Sequence, residues 1–223
     1  MTKEQIVEKI KQLKVIAIAR GVSPKDSVAL AKALYDGGVR IMELTLDQKN
    51  PESWAETANA ISAVQDAFGE TEMIVGAGTV VMPVQVDLVY KAGAKLIISP
   101  DANEQIIRRT VELGMVSIPG AMTPTEILAA RRWGADFVKV FPAGALGASY
   151  IKAIRAPINH VPLLAVGGVN EKNLGEFLAA GAVGAGIGGN LVKKEWISSG
   201  EFHRITETAL KITNVIANLK EGV

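Results

Sequence analysis

A lysine stands in the middle of an otherwise apolar run, Asp136-Phe137-Val138-Lys139-Val140-Phe141-Pro142. Side chains alternate across a strand, so Phe137, Lys139 and Phe141 share one face, and the amine is expected between two phenyl rings. Burial disfavours an ammonium and lowers its pKa, which makes such a lysine a nucleophile. An edge-strand lysine whose head snorkels to water would leave the same trace in the sequence. On this stretch alone both readings stay open, because a charged side chain is rarely buried without a reason.

A second anomaly lies in Ile41-Met42-Glu43-Leu44-Thr45-Leu46. Ile41, Glu43 and Thr45 share one face, and the fully apolar face of Met42, Leu44 and Leu46 is the one to pack on helices. Glu43 is therefore expected to point inwards. A buried acid and a buried amine on separate strands could form a structural ion pair, whose desolvation often cancels its attraction. They could equally serve as nucleophile and proton shuttle around one cavity. Their coincidence at the ends of strands favours catalysis.

Two glycine clusters close the last apolar runs, Ala165-Val166-Gly167-Gly168 and Gly186-Ile187-Gly188-Gly189-Asn190. Glycine in such loops lets backbone N–H groups approach an anion, although the same residues also suit tight turns. Neither cluster is a dinucleotide fingerprint, since no G-x-G-x-x-G opens a helix. The chain has no cysteine, which excludes disulfides, iron–sulfur clusters and thiolate zinc sites, and its two histidines cannot build a three-histidine metal site. The net charge is +1 with dispersed basic residues, which argues against a nucleic-acid surface. No apolar run reaches membrane-span length and no signal peptide opens the chain, so a cytoplasmic location is expected.

The elements that must position these groups alternate. Strands are expected at Val15–Arg20, Ile41–Leu46, Met73–Thr79, Leu96–Pro100, Val116–Ala121, Phe137–Pro142, Pro162–Gly168 and Gly184–Gly189. Helices are expected near Thr2–Leu13, Lys25–Asp36, Pro51–Phe68, Pro83–Lys91, Asn103–Leu113, Pro124–Arg132, Ser149–Ile154, Glu171–Ala180 and Glu201–Leu219. Ser23 and Thr123 read as N-caps, and Gly37, Gly93, Gly114, Gly134 and Gly181 as left-handed residues just past helices. Alternation implies a parallel sheet. In 223 residues, 48% of them hydrophobic and with no linker, it predicts one domain spanning residues 1–223. The predicted fold is an α/β, single-domain (β/α)8 TIM barrel with an additional N-terminal helix, and a doubly wound open sheet is the competitor. In such a barrel the site lies at the C-terminal ends of the strands, and the loops after strands seven and eight commonly hold a phosphate.

At this point the motifs resemble a known family. Glu43-Leu44-Thr45-Leu46, Gly76-Ala77-Gly78-Thr79-Val80, Ser99-Pro100, Ile118-Pro119-Gly120, Phe137 to Ala143 and Val166-Gly167-Gly168-Val169 fall in the order seen in the 2-keto-3-deoxy-6-phosphogluconate aldolases, also described as 4-hydroxy-2-oxoglutarate aldolases. The resemblance runs from Val15 to about Val192. It implies a class I, Schiff-base aldolase without a cofactor, usually a homotrimer, acting in carbohydrate metabolism of the Entner–Doudoroff type. It implies Lys139 as the Schiff-base lysine and Glu43 as general acid/base. Thr79 would lie near the pyruvate carboxylate, Pro100 and Phe141 would wall the pocket, and Gly167, Gly168, Gly188 and Gly189 would cradle phosphate.

Two positions depart from the family pattern. Asp47 stands where gluconate-type members carry a substrate-binding arginine, and Gly189 where a serine is usual. Ile18-Ala19-Arg20-Gly21, Ile106-Ile107-Arg108-Arg109 and Tyr150-Ile151-Lys152-Ala153 resemble the 6-phosphogalactonate branch, so Arg20 would supply the guanidinium. The expected reaction is reversible cleavage of a 2-keto-3-deoxy-6-phospho sugar acid to pyruvate and glyceraldehyde 3-phosphate, with 4-hydroxy-2-oxoglutarate, giving pyruvate and glyoxylate, as a second substrate. The shortage of histidines fits this route, because a metal-dependent aldolase needs a ligand cluster. The competing readings are a sugar-phosphate isomerase or epimerase with Glu43 as base, and a non-catalytic sugar-phosphate-binding protein.

Overall fold

The computed structural model describes residues 1–221. In chain order the elements are α1 (Lys3–Leu13), β1 (Val15–Arg20), α2 (Pro24–Asp36), β2 (Ile41–Thr45), α3 (Trp54–Phe68), β3 (Ile74–Gly78), α4 (Pro83–Lys91), β4 (Leu96–Ile98), α5 (Glu104–Glu112), β5 (Val116–Ile118), β6 (Gly120–Ala121), α6 (Pro124–Arg132), β7 (Val138–Val140), α7 (Ala143–Leu146), α8 (Ala148–Arg155), β8 (Leu163–Val166), α9 (Leu174–Ala179), β9 (Gly184–Ile187), α10 (Lys194–Ser198) and α11 (Phe202–Glu221). All ladders are parallel, in the order β5-β4-β3-β2-β1-β9-β8-β7-β6.

The two ends of that order are one strand. β5 and β6 flank Pro119, whose missing N–H interrupts the ladder. β5 pairs with β4 while β6 pairs with β7. Across the seam Phe137 N–H donates to Ser117 O at 3.2 Å and Lys139 N–H donates to Pro119 O at 2.8 Å. The sheet is therefore a closed eight-position barrel, and the expected fifth strand, Val116–Ala121, is split in two. The other expected strands are right in place but too long at their C-terminal ends, except β1. Those trailing residues, such as Thr79, Pro100 and Gly167–Gly168, leave the ladder to form the rim.

Strand alternation divides the core. Ile16, Ile18, Ile41, Ile74, Leu96, Ile98, Val116, Ile118, Phe137, Leu164 and Val166 fill the barrel. Val15, Ala17, Ala19, Met42, Leu44, Val75, Ala77, Ile97, Val138, Val140, Ala165 and Ala185 face the helices, and the alanines let helix backbones come close. Helix α1 closes the N-terminal end: Ile6 and Ile10 belong to the interior cluster, with Val7 and Leu13 packed on it. A capping box between Thr2 and Gln5 starts that helix.

Ser23 and Thr123 cap α2 and α6 as expected. Gly93, Gly114, Gly134 and Gly181 take positive φ, but Gly37 does not; Gly38, at φ 86°, makes that turn. Gly37 is needed for a different reason, since a Cβ there would lie 2.4 Å from Ala209 Cβ of α11. The long helix α11 docks on α2 through this contact and through Thr206 and Thr213 hydroxyls donating to Ala33 O and Gly37 O. The short helices α7 and α10 have no counterpart in the sequence reading. No helix among the described residues is long and apolar enough to cross a membrane.

Candidate active site

Lys139 is the middle residue of β7 and is 7% exposed, while Glu43, on β2, is 2% exposed. Both point into the barrel at its C-terminal end. Arg20, Glu43, Thr79, Pro100, Lys139, Phe141, Gly167, Gly168, Gly188 and Gly189 all line one cavity of about 390 Å³, together with Ile18, Val166, Val169 and Asn190. Every residue expected to take part in catalysis or binding thus lines a single chamber. Asp47 is not there. It lines an adjoining cavity of about 660 Å³, and its Oδ1 accepts from Lys49 N–H at 2.9 Å.

The amine lies 4.9 Å from the centroid of the Phe141 ring. The expectation of a second flanking ring needs correction: Phe137 is fully buried in the apolar layer of the barrel interior, and Phe141 alone is the rim aromatic at 39% exposure. Phe141 follows the last residue of β7, its N–H still donating to Ala121 O at 3.2 Å, and its ring lines the chamber beside Gly167.

Burial dominates the electrostatics of both groups. It pushes the Glu43 carboxyl up to about 7, against the stabilising charges of Lys139 and Arg20. It lowers the Lys139 pKa, opposed by Glu43 and reinforced by Arg20. The two are close enough to feel each other, yet desolvation outweighs their attraction on both sides. One Glu43 oxygen, Oε2, is buried with no hydrogen-bond partner. An unpartnered buried oxygen beside a cavity is what a proton carrier needs before its substrate arrives. Room for that carboxyl is made by Gly78, where a Cβ would sit 2.5 Å from Oε2.

The side chain of Arg20, the last residue of β1, makes no hydrogen bond or ion pair among the described residues and lines the chamber and both neighbouring cavities. Gly188 gives it space, since a Cβ there would lie 2.9 Å from Nη1. Gly167 and Gly168 have φ of 90° and 77°, a turn that ordinary residues resist. They pack on Gly144 at the start of α7, whose N–H donates to Gly167 O at 2.7 Å. These left-handed glycines and the Gly188-Gly189 pair follow neighbouring strands, β8 and β9, and line the same chamber. Asn190 braces it by donating from Nδ2 to Val169 O at 2.9 Å.

Thr79 closes the chamber beside Glu43 with φ 57°, a left-handed conformation that is costly for a β-branched residue. Its carbonyl accepts from Gln48 Nε2 at 2.7 Å. Sequence reasoning missed this conformation and the role of Gln48, and nothing in the local pattern announces either. Among the described residues no group of His, Cys, Asp and Glu is placed to hold a metal ion.

The family model "Aldolase: KDPG and KHG aldolase" matches residues 6–208. The 2-dehydro-3-deoxy-6-phosphogalactonate aldolase of Escherichia coli (strain K12) is 39% identical over 183 residues, covering 82% of this chain and 86% of that protein. Among solved structures, the native KDPGal structure superposes with a TM-score of 0.85 at 34% identity, covering 94% of this chain and 97% of the other. The KDPG aldolase of Legionella pneumophila, solved with pyruvate captured as a covalent carbinolamine intermediate, gives a TM-score of 0.82 at 28% identity, covering 92% and 97%.

Proposed function

The chain belongs to the KDPG and KHG aldolase family, and from that membership we propose that the chamber is the active site of a class I aldolase. Its substrate is a 2-keto-3-deoxy-6-phospho sugar acid, and its products are pyruvate and glyceraldehyde 3-phosphate. The observation that carries the assignment of roles is the pair Lys139 and Glu43, both buried, both driven by desolvation towards their uncharged forms, and both lining one small cavity.

The steps follow from those two groups. The neutral Lys139 amine attacks the C2 ketone, and the resulting carbinolamine loses its hydroxyl as water when Glu43 supplies a proton. The iminium so formed is the electron sink for breaking the C3–C4 bond. Glu43, now a carboxylate, takes the proton of the C4 hydroxyl, so the C4 fragment leaves as an aldehyde and the C3 fragment remains as an enamine on Lys139. Protonation at C3 and addition of water release pyruvate and restore the amine. A Glu43 pKa near 7 suits both directions of transfer.

Arg20 and the Thr79 hydroxyl hold the substrate carboxylate in this reading. Pro100 and Phe141 wall the chamber, and Gly167, Gly168, Gly188 and Gly189 offer N–H groups to the phosphate. Arg20 and the likeness to the phosphogalactonate aldolase support the galacto configuration at C4. The same reading carries a homotrimer and a cytoplasmic location, supported by the motif resemblance and by the lack of cysteine.

Borohydride reduction in the presence of pyruvate tests the chemistry. A mass increase on the peptide bearing Lys139 is expected, lost together with cleavage in Lys139→Met. Full cleavage by Lys139→Met, or no adduct in the unaltered protein, would overturn it. Cleavage rates on the two C4 epimers then decide the configuration.

A further inference from the structure

Thr79 needs an external hold, because its left-handed backbone is not one a threonine keeps by preference. Part of the hold is the Val80 N–H of the same peptide, which donates to Ile98 O at 3.3 Å; the rest comes from two glutamines whose orientation can be deduced link by link. Helix α4 starts at Pro83, and the N–H groups of Val81 and Met82 just before it point at one atom of the Gln85 amide, at 2.8 and 3.1 Å. Both are donors, so that atom must be the oxygen. Gln85 is completely buried, and its other amide atom, necessarily the nitrogen, lies 2.8 Å from Gln48. Gln48 must therefore present its own oxygen to Gln85. That leaves the Gln48 nitrogen facing the Thr79 carbonyl at 2.7 Å. Each amide has a donor end and an acceptor end, so two N–H groups at the start of α4 dictate that Thr79 O meets a donor and not a second acceptor.

We propose that Gln48 and Gln85 are positioning residues that lock the Thr79 peptide, and with it a side chain that lines the chamber, for the carboxylate end of the keto acid. The proposal rests on the aldolase reading. Pinning a carbonyl fixes the peptide plane, which sets where the Thr79 side chain projects. Among the described residues the Thr79 hydroxyl has no hydrogen-bond partner, so it is available to substrate. Neither glutamine lines the chamber that holds Lys139 and Glu43; Gln48 lines the adjoining cavity that shares Arg20 and Thr79 with it, and its amide nitrogen is turned to Thr79 O.

The test is borohydride trapping of Lys139 as pyruvate is titrated, on the unaltered protein, Gln48→Met and Gln85→Glu. Methionine keeps the length of glutamine and loses both amide ends. Glutamate still accepts from Val81 and Met82 but, ionised, gives Gln48 no donor. In both variants the pyruvate concentration for half-maximal trapping should rise about tenfold, the scale of one lost hydrogen bond. The maximal adduct should stay close to that of the unaltered protein in both variants; the melting temperature should stay close in Gln48→Met and fall in Gln85→Glu, where a carboxylate replaces a fully buried amide; and half-saturation in the double variant should rise no further than in either single one. Half-saturation unchanged in Gln48→Met, with trapping normal in the unaltered protein, overturns the relay and leaves the aldolase reading intact. Loss of maximal adduct together with melting temperature in both variants also overturns it, by revealing a general structural role. Should Gln48→Met not fold, Gln85→Glu decides alone. Absence of any adduct in the unaltered protein removes the aldolase reading and the proposal with it.

Discussion

Glu43 titrates where few carboxyls do, and that property reaches beyond chemistry into stability. In the folded chain it holds its proton up to about pH 7, whereas the unfolded carboxyl releases it near 4.5. Between those values the folded state binds more protons, so stability falls as pH rises, by about 3 kcal/mol over the interval, and does not recover above it through this group. Glu43→Gln cannot titrate and should flatten that decline. Urea unfolding across the interval measures it, and a slope that survives in the variant would belong to another residue. The same substitution should slow cleavage by roughly 10²–10⁴-fold and remove the limb near neutrality from the rate profile. Lys139 and Glu43 were legible in the sequence because strand alternation exposes a charge on an inward face. The left-handed Thr79 and its glutamines were not, since their orientation depends on a helix start that is remote from Gln48 in the chain.

At the scale of elements, the glycines in and after the strands do different jobs, and the contacts of an added methyl separate them. At Gly76 a Cβ would lie 2.4 Å from the Leu96 carbonyl, backbone against backbone between neighbouring strands. Gly76→Ala should therefore destabilise by about 2 kcal/mol or more, read as a lower midpoint in denaturant. At Gly189 an added Cβ meets nothing within 4 Å. Gly189→Ser should leave the melting temperature unchanged while restoring a hydroxyl to the anion loop. A lower KM for a phosphorylated substrate, with no change for pyruvate, would place the phosphate there, and an unchanged KM for both would place it elsewhere. Helix and strand order was readable from apolar runs and cap residues. The ends of strands were not, because they stop where chamber geometry and proline interrupt the ladder rather than where hydrophobicity does. Helix α7, four residues long, carries too little periodicity to be seen.

Over the whole molecule, the two ends of the barrel separate stability from chemistry. The N-terminal end is sealed by Ile6 and Ile10 of α1, and the C-terminal end holds every group of the candidate site. Ile10→Ala should cost about 2–4 kcal/mol, as for a large buried aliphatic replaced by a small one. The folded fraction should keep its pyruvate half-saturation, and a shift in that value would mean that the two ends are coupled. Closure was the expectation drawn from eight short, evenly spaced units, and the ring does close, though through a fifth strand broken at Pro119. The docking of α11 on α2 escaped the sequence because its key contact, Gly37 against Ala209, joins residues at opposite ends of the chain.

The empty side-chain position at Gly78 also bears on design. In the ladder Gly78 sits opposite Thr45, one inward step beyond Glu43 towards the mouth, so the acid leans forward across the neighbouring strand into space that any larger residue would occupy. Grafting this proton carrier onto another scaffold therefore means moving two positions on adjacent strands together. A transplanted glutamate facing an alanine would be turned away from the amine it is meant to serve.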